Sequence, residues 1–204
     1  MPVLYSDDAM VVVDKPAGLL AVPGRGDTHR DCVATRVQDQ FADALVVHRL
    51  DQATSGLLVF ARGTAAQRFL NQAFADRRVE KRYIAVVAGL LADDRGQIDL
   101  PLAADWPNRP RQQVDANGGK PSLTRWRAVS RDPSACTTRV ELEPVTGRSH
   151  QLRVHLLAIG HPIVGDALYA PAVPAPRLML HACALTVPHP QEGRALNFSS
   201  QAPF

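Results

Sequence analysis

Cysteine is scarce in this chain of 204 residues, which contains only Cys32, Cys136 and Cys183. Odd in number, widely spaced and without a C-x-x-C pair, they indicate neither a disulfide framework nor a zinc site, and they fit a reducing compartment. Long hydrophobic runs are also missing. The longest, Ile84 to Ala92, is far short of the roughly 20 apolar residues that a helix needs to cross a bilayer, so no membrane partner is expected. The start, Met1 to Asp8, has no basic region followed by an apolar one, so no secretory signal is read there and the cytoplasm is the expected location. Nucleotide-cofactor motifs are absent as well. Gly24-Arg25-Gly26 and Gly118-Gly119-Lys120 have neither Walker A spacing nor a G-x-G-x-x-G frame. His150 and His155 are five apart rather than the four of H-E-x-x-H, which argues against a metal site. No cofactor is expected.

What the sequence does contain is an ordinary soluble balance, 46% hydrophobic and 21% charged, in a length that fits one globular domain. The net charge is only +3, yet most of the 23 basic residues are arginines. The arginine fork suits phosphate oxygens, so nucleic acid is a plausible partner, although an arginine-rich but ordinary surface explains the composition equally well.

Val3 to Asp14 reads as two short strands around Ser6-Asp7-Asp8, and a loop from Lys15-Pro16-Ala17-Gly18 is expected to run to Thr28. Val33, Val37 and Phe41 suggest a helix, and Gly56 to Ala61 a buried strand. Thr64 and Gln67 have capping-box spacing ahead of a helix whose apolar residues are Ala66, Phe69, Leu70, Ala73 and Phe74. Strands follow at Tyr83 to Val87, Leu123 to Val129 and Thr137 to Leu142. Ser149 to Ile159 then reads as a helix closed by Gly160. Strand and helix do not alternate regularly, which favours an α+β fold with a mixed, mainly antiparallel sheet.

Two segments carry chemistry. In HRLDQATSGLLVFAR, residues 48–62, Asp51 sits among polar neighbours immediately before the buried strand. That placement can hold a reactive carboxylate steadily, but a loop aspartate accepting backbone hydrogen bonds fits the same pattern. In PVTGRSHQLRVHLLAIGHPIVGDALYA, residues 144–170, Arg148, Ser149 and His150 stand at a helix entrance, a place suited to anionic ligands. Arg153, off the Leu152, Leu156 and Ile159 stripe, is either a flank of the core that reaches a buried carboxylate or a solvent-facing helix arginine.

The first of these segments resembles the catalytic motif of the pseudouridine synthases that modify large-subunit ribosomal RNA and tRNA. The resemblance continues in the family's order through VVVDKPAGLLAVPGRG at 11–26, EKRYIAVVAG at 80–89, the whole of 144–170, and RLMLHACAL at 177–185. It implies the pseudouridine synthase fold, a single catalytic domain over 1–204 without an S4-like domain, and no cofactor. It makes Asp51 the catalytic carboxylate, Tyr83 the active-site tyrosine and Arg153 the arginine paired with Asp51. Arg49 becomes the arginine that enters the RNA where the target nucleotide leaves its stack. Arg148 becomes a residue that contacts RNA or braces the site, His150 a substrate-binding residue, and Leu180, or else Leu178, the apolar residue packed on the extruded uracil.

LPLAADWPNRPRQQV at 100–114 and GKPSLTRW at 119–126 resemble a branch of dual specificity. The implied partners are 23S rRNA and tRNA stem-loops, at positions 746 and 32; a monomer is the default expectation, since the sequence carries no sign of oligomeric state. Arg109 and Arg111 are then expected to contact phosphate, so that replacing them weakens RNA binding and lowers its salt sensitivity. A sister enzyme that modifies tRNA alone or another rRNA uridine, and a noncatalytic RNA-binding module, are the competing readings. A glycoside hydrolase fits less well, because the usual mechanism needs two placed carboxylates and only Asp51 stands out.

Overall fold

The computed structural model describes residues 1–24 and 31–204. The end of the loop expected to reach Thr28, with Arg25 and Gly26 of the first motif, lies outside the described residues. In chain order the elements are β1 (Val3–Ser6), β2 (Met10–Lys15), α1 (Val33–Gln38), β3 (Ala44–Val46), β4 (Ser55–Arg62), α2 (Gly63–Ala75) and β5 (Glu80–Ala88). They continue with β6 (Arg95–Asp99), β7 (Leu102–Ala104), β8 (Gln112–Val114), β9 (Leu123–Asp132), β10 (Thr137–Pro144), α3 (Gln151–Ala158), β11 (Leu180–Pro188) and β12 (Ala195–Ser199). The chain forms two compact units, 1–81 with 182–203 and 82–181 with Phe204.

In the first unit the strands run in the order β1-β2-β4-β11, with β12 on β11 and β3 on β4. Strand β2 meets β4 antiparallel from Met10 opposite Ala61 to Lys15 opposite Gly56. Alternate residues Met10, Val12, Leu57, Val59 and Ala61 pack against Ala66, Leu70 and Ala73 of α2. The intervening Val11, Val13, Leu58 and Phe60 are just as buried. Burial on both faces explains why β4 reads as a continuous apolar run rather than an alternating one.

Gly56 opens that run for a steric reason. Its φ is +112°, and a Cβ there would lie 2.3 Å from the carbonyl oxygen of Ala182. Only glycine allows β4 and β11 to approach so closely. Gly56→Ala is therefore expected to lower unfolding free energy by about 2–3 kcal/mol, measured by urea denaturation.

Helix α2 corrects one expectation. Its N-cap is Arg62, with no side-chain cap, and Gln67 donates instead to the Val46 carbonyl at 3.0 Å. The helix begins at Gly63, so Thr64 is already inside its first turn and cannot cap it. Gln67 ties α2 to β3.

In the second unit the order is β5-β10-β9-β6, with β7 and β8 as a separate hairpin. Helix α3 starts two residues later than expected, after His150, whose φ is +55°. It is not amphipathic: Gln151 through Leu156 are all buried. Its polar side chains are therefore satisfied internally. Gln151 donates to the Leu123 carbonyl at 3.0 Å and accepts from Arg148 N–H at 3.0 Å. His155 bonds Thr124 Oγ1 at 2.9 Å and the Leu100 carbonyl at 3.0 Å. Among the described residues no helix is long and apolar enough to cross a membrane.

Candidate active site

The Asp51 turn is built from two sequence motifs that fold onto each other. Thr54 N–H closes the turn on the Asp51 carbonyl at 3.1 Å. The next carbonyl, Gln52, accepts from Gly18 N–H at 2.8 Å and from Lys15 Nζ at 2.9 Å. Gln52 Nε2 returns a bond to the Gly18 carbonyl at 3.0 Å. Lys15 is 0% exposed, and its ammonium also donates to the Pro16 carbonyl at 2.9 Å. A lysine is buried only when its charge is met by strong acceptors. The DKPAG and HRLDQ segments, about thirty residues apart, thus form one clamp that fixes the backbone immediately after Asp51. Lys15 and Gln52 were not among the sequence candidates.

On the other side of Asp51, His48 replaces a strand. Where β3 leaves β4, the His48 Nε2 accepts the Val59 N–H at 3.0 Å, and the ring stacks on Phe74 with centroids 4.7 Å apart. A nitrogen that accepts a backbone N–H must be unprotonated. Burial, reinforced by the charge of Lys81, pushes the His48 imidazole down to about 3. His48 is a neutral post beside Asp51 and supplies no proton at neutral pH.

That neutrality has a stability consequence. The unfolded chain protonates His48 first, so its contribution is intact above about 6.5 and is lost as pH falls from 6.5 towards about 3. His48→Gln retains an acceptor for Val59 N–H. Against wild type it is expected to flatten the fall in urea stability between about pH 7 and 5. Burial also lowers the His155 imidazole, but His155 is common to both proteins and drops out of the difference.

Between these posts Asp51 is partly exposed and Arg49 is exposed. Arg49 makes no ion pair among the described residues, leaving its guanidinium available to a ligand.

The second unit holds Arg153 in a different setting from the solvent-facing alternative. Arg153 is 6% exposed. Its Nε and one terminal nitrogen donate to the two carboxylate oxygens of Asp166, each at 2.8 Å. Asp166 also accepts the N–H groups of Leu168 and Tyr169 at 3.1 Å, and the Arg153 guanidinium lies 4.9 Å from the Tyr169 ring centre. The Tyr169 hydroxyl bonds His150 Nδ1 at 2.7 Å and accepts Gln112 N–H at 2.7 Å. His150 is thereby tied to the network that orients Arg153. Asp166 and Tyr169, like Lys15, were not singled out from sequence.

Of the remaining candidates in this unit, Tyr83 is partly buried on β5, opposite Leu142 of β10. Arg148 is exposed, with a long 3.4 Å contact from Nε to the Pro121 carbonyl. Leu178 and Leu180 are both buried, at opposite sides of a half-buried Met179.

The model of the RNA pseudouridylate synthase family matches residues 9–158. The dual-specificity RNA pseudouridine synthase RluA of Yersinia pestis is 52% identical over 207 residues, covering 100% of each chain. The protein of the same name from Escherichia coli K12 is 50% identical over 205 residues, covering 99% of this chain and 93% of the other. Among solved structures, human RNA pseudouridylate synthase domain containing 1 aligns with a TM-score of 0.83 at 29% identity, over 99% of this chain and 83% of that one. The chain belongs to the RNA pseudouridylate synthase family. It is an isomerase, an RNA pseudouridine synthase with the α+β fold expected from its sequence.

Proposed function

We propose that the chain is a dual-specificity enzyme that isomerises uridine at position 746 of 23S rRNA and at position 32 of tRNA anticodon stem-loops. The observation that carries this reading is the end-to-end 52% identity to a relative named for dual specificity. The 100–114 and 119–126 segments support it. The enzyme acts in the cytoplasm as a monomer, as one catalytic domain over 1–204, without a cofactor, since isomerisation is redox-neutral.

The reaction breaks the bond from ribose C1′ to uracil N1 and joins C1′ to C5, whose hydrogen then leaves as a proton while N1 takes one up, so that the product is an isomer of the substrate. In this proposal Asp51 is the catalytic carboxylate. Attack on C1′, addition to C6 of the ring and removal of a ribose proton to give a glycal all begin from its ionised form. Arg153, the partner that the family resemblance assigns it, favours that form. Tyr83 offers an aromatic face to the uracil. Its phenol, ordinarily near about 10, needs local help to take the C5 proton.

Arg49 enters the RNA stack as the target nucleotide leaves it, and Leu180 packs on the extruded base, with Arg148 and His150 contacting RNA. Extrusion costs a few kcal/mol, less in a loop than in a duplex, which fits hairpin loops as substrates. The exposed guanidinium of Arg49, which makes no ion pair among the described residues, supports its role. Deleting the gene is expected to remove pseudouridine from both loops, read by mapping the modification in extracted RNA. Persistence at either site would reduce the specificity to a single target.

A further inference from the structure

Trp106 stands out from the rest of the surface. It is 68% exposed, the most exposed large hydrophobic side chain among the described residues. It sits at the tip of the β7–β8 hairpin, in the sequence Asp105-Trp106-Pro107-Asn108-Arg109-Pro110. That tip is rigid. Asp105 N–H bonds the Arg111 carbonyl at 3.0 Å, Asn108 N–H bonds the Asp105 carbonyl at 3.1 Å, and Arg111 N–H bonds the Asn108 carbonyl at 3.0 Å. The strand leaving the turn is held by the Tyr169 hydroxyl, which accepts Gln112 N–H.

The indole has one side occupied, with the Arg109 guanidinium only 3.4 Å from the ring centre. Arg109 makes no ion pair among the described residues. A turn of this kind needs no tryptophan for its own stability, because small polar residues make such turns more cheaply. A large indole held in water on a fixed turn, backed by a cation, is the arrangement that receives a flat, electron-rich, anionic-backbone ligand.

We propose that Trp106 is a stacking platform for an unpaired base of the RNA loop other than the target uridine, with Arg109 holding the platform and reaching the adjoining phosphate. The proposal rests on the reading of RNA loops as substrate. Charge selects RNA over an apolar protein partner. Arg109, Arg111 and Lys120 lie on or beside the hairpin. Of its two acids, Asp105 accepts the Asn108 amide at 3.0 and 3.1 Å and Asp115 accepts Asn117 and Gly118 N–H at 3.0 Å. Aromatic platforms of this type bind any base by its π-face, which suits an enzyme that must accept two loops of different sequence. The hairpin thus contributes affinity and register while the Asp51 side supplies the chemistry.

The experiment uses the full chain, a tRNA anticodon stem-loop RNA and an RNA duplex of the same stem without the loop. The only other tryptophan, Trp126, is buried, so quenching by a stacked base reports on Trp106. The stem-loop is expected to quench wild-type fluorescence and the duplex to leave it. Trp106→Phe is expected to lose most of the quenching while binding within about 3-fold of wild type. Trp106→Ala is expected to weaken binding by about 5- to 150-fold with an unchanged salt slope. Arg109→Ala is expected to lower that slope by about 0.7–0.9. Stem-loop binding by Trp106→Ala as tight as wild type, or quenching that persists in Trp106→Phe, would overturn the platform while leaving the enzyme's RNA reading intact. If wild type binds neither RNA nor modifies the stem-loop, the reading itself fails and the platform with it.

Discussion

Asp166→Ala is expected to lower unfolding free energy by about 3–5 kcal/mol, the usual consequence of removing one partner of a buried ion pair. The side chains of Arg153 and Asp166 are 7% and 1% exposed and meet in a two-pronged contact at 2.8 Å. Removing the carboxylate takes both prongs of that contact from a buried guanidinium and also takes the acceptor from Leu168 and Tyr169 N–H. Truncating the arginine as well should recover part of the loss. The double variant Arg153→Met with Asp166→Ala is expected to be more stable than Asp166→Ala alone, because the buried charge that lost its two-pronged contact is gone. Activity separates the two effects: the double variant is expected to be inactive however stable it is, since Arg153 belongs to the proposed catalytic trio. A loss below about 1 kcal/mol in Asp166→Ala would show that the rest of the Arg153 surroundings suffices to hold it. Arg153→Lys is expected to be poorly tolerated too, because an ammonium cannot reproduce the fork.

The elements legible in the sequence were those with a strong physical signature. The β2 and β4 runs, α2 and the long β9 and β10 strands all bury a continuous or periodic apolar face. The unread strands were too short or too mixed to show a period. Strands β7 and β8 have three residues each, and their pairing depends on a hairpin tip whose turn is closed by Asp105 and Asn108. Helix α3 was legible in extent, but its amphipathic stripe was not real. Burial on every side made Arg153 and His155 interior residues, and no pattern of apolar residues distinguishes that case from a surface helix.

The same limit applies to the candidate site. Asp51, Tyr83 and Arg153 are assigned through motif resemblance, whereas local physics alone does not separate Asp51 from an ordinary loop aspartate. The supporting residues were harder to read. Lys15 lay in plain view within VVVDKPAG, but a lysine is an exposed residue by default, and only the fold reveals that Gln52, 37 residues away, provides its acceptor. Asp166 meets Arg153 through a loop rather than a helical interval, so spacing gave no hint of the pair. A signal did exist in Gly165, whose φ is +77° and whose Cβ would collide with the Arg177 carbonyl. A glycine required immediately before an acidic residue marks a backbone built to place that carboxylate.

These supports have a functional meaning. A carboxylate used in a reaction must be aimed without being buried out of reach, and that requires rigid backbone on both sides of an accessible side chain. Around Asp51 the Lys15–Gln52–Gly18 clamp holds the C-terminal side and the His48–Val59 bond holds the N-terminal side. Because His48 stays neutral, it does not compete with Asp51 for a proton role. The proposed chemistry accordingly rests on a single carboxylate.

That dependence makes Asp51→Asn the most direct test of the account, measured as tritium release from a stem-loop RNA labelled at uracil C5. The substitution keeps size and shape, so the variant is expected to fold and to bind the RNA much as wild type does. Loss of the one essential group predicts a fall in the release rate on the order of 10⁴-fold or more, by analogy with the removal of single catalytic side chains in other enzymes. Wild type should release the label as C1′ joins C5, and Asp51→Asn should release none above background. Sustained release from Asp51→Asn, with the residue confirmed as asparagine after the reaction, would contradict the central claim that the Asp51 carboxylate carries the isomerisation.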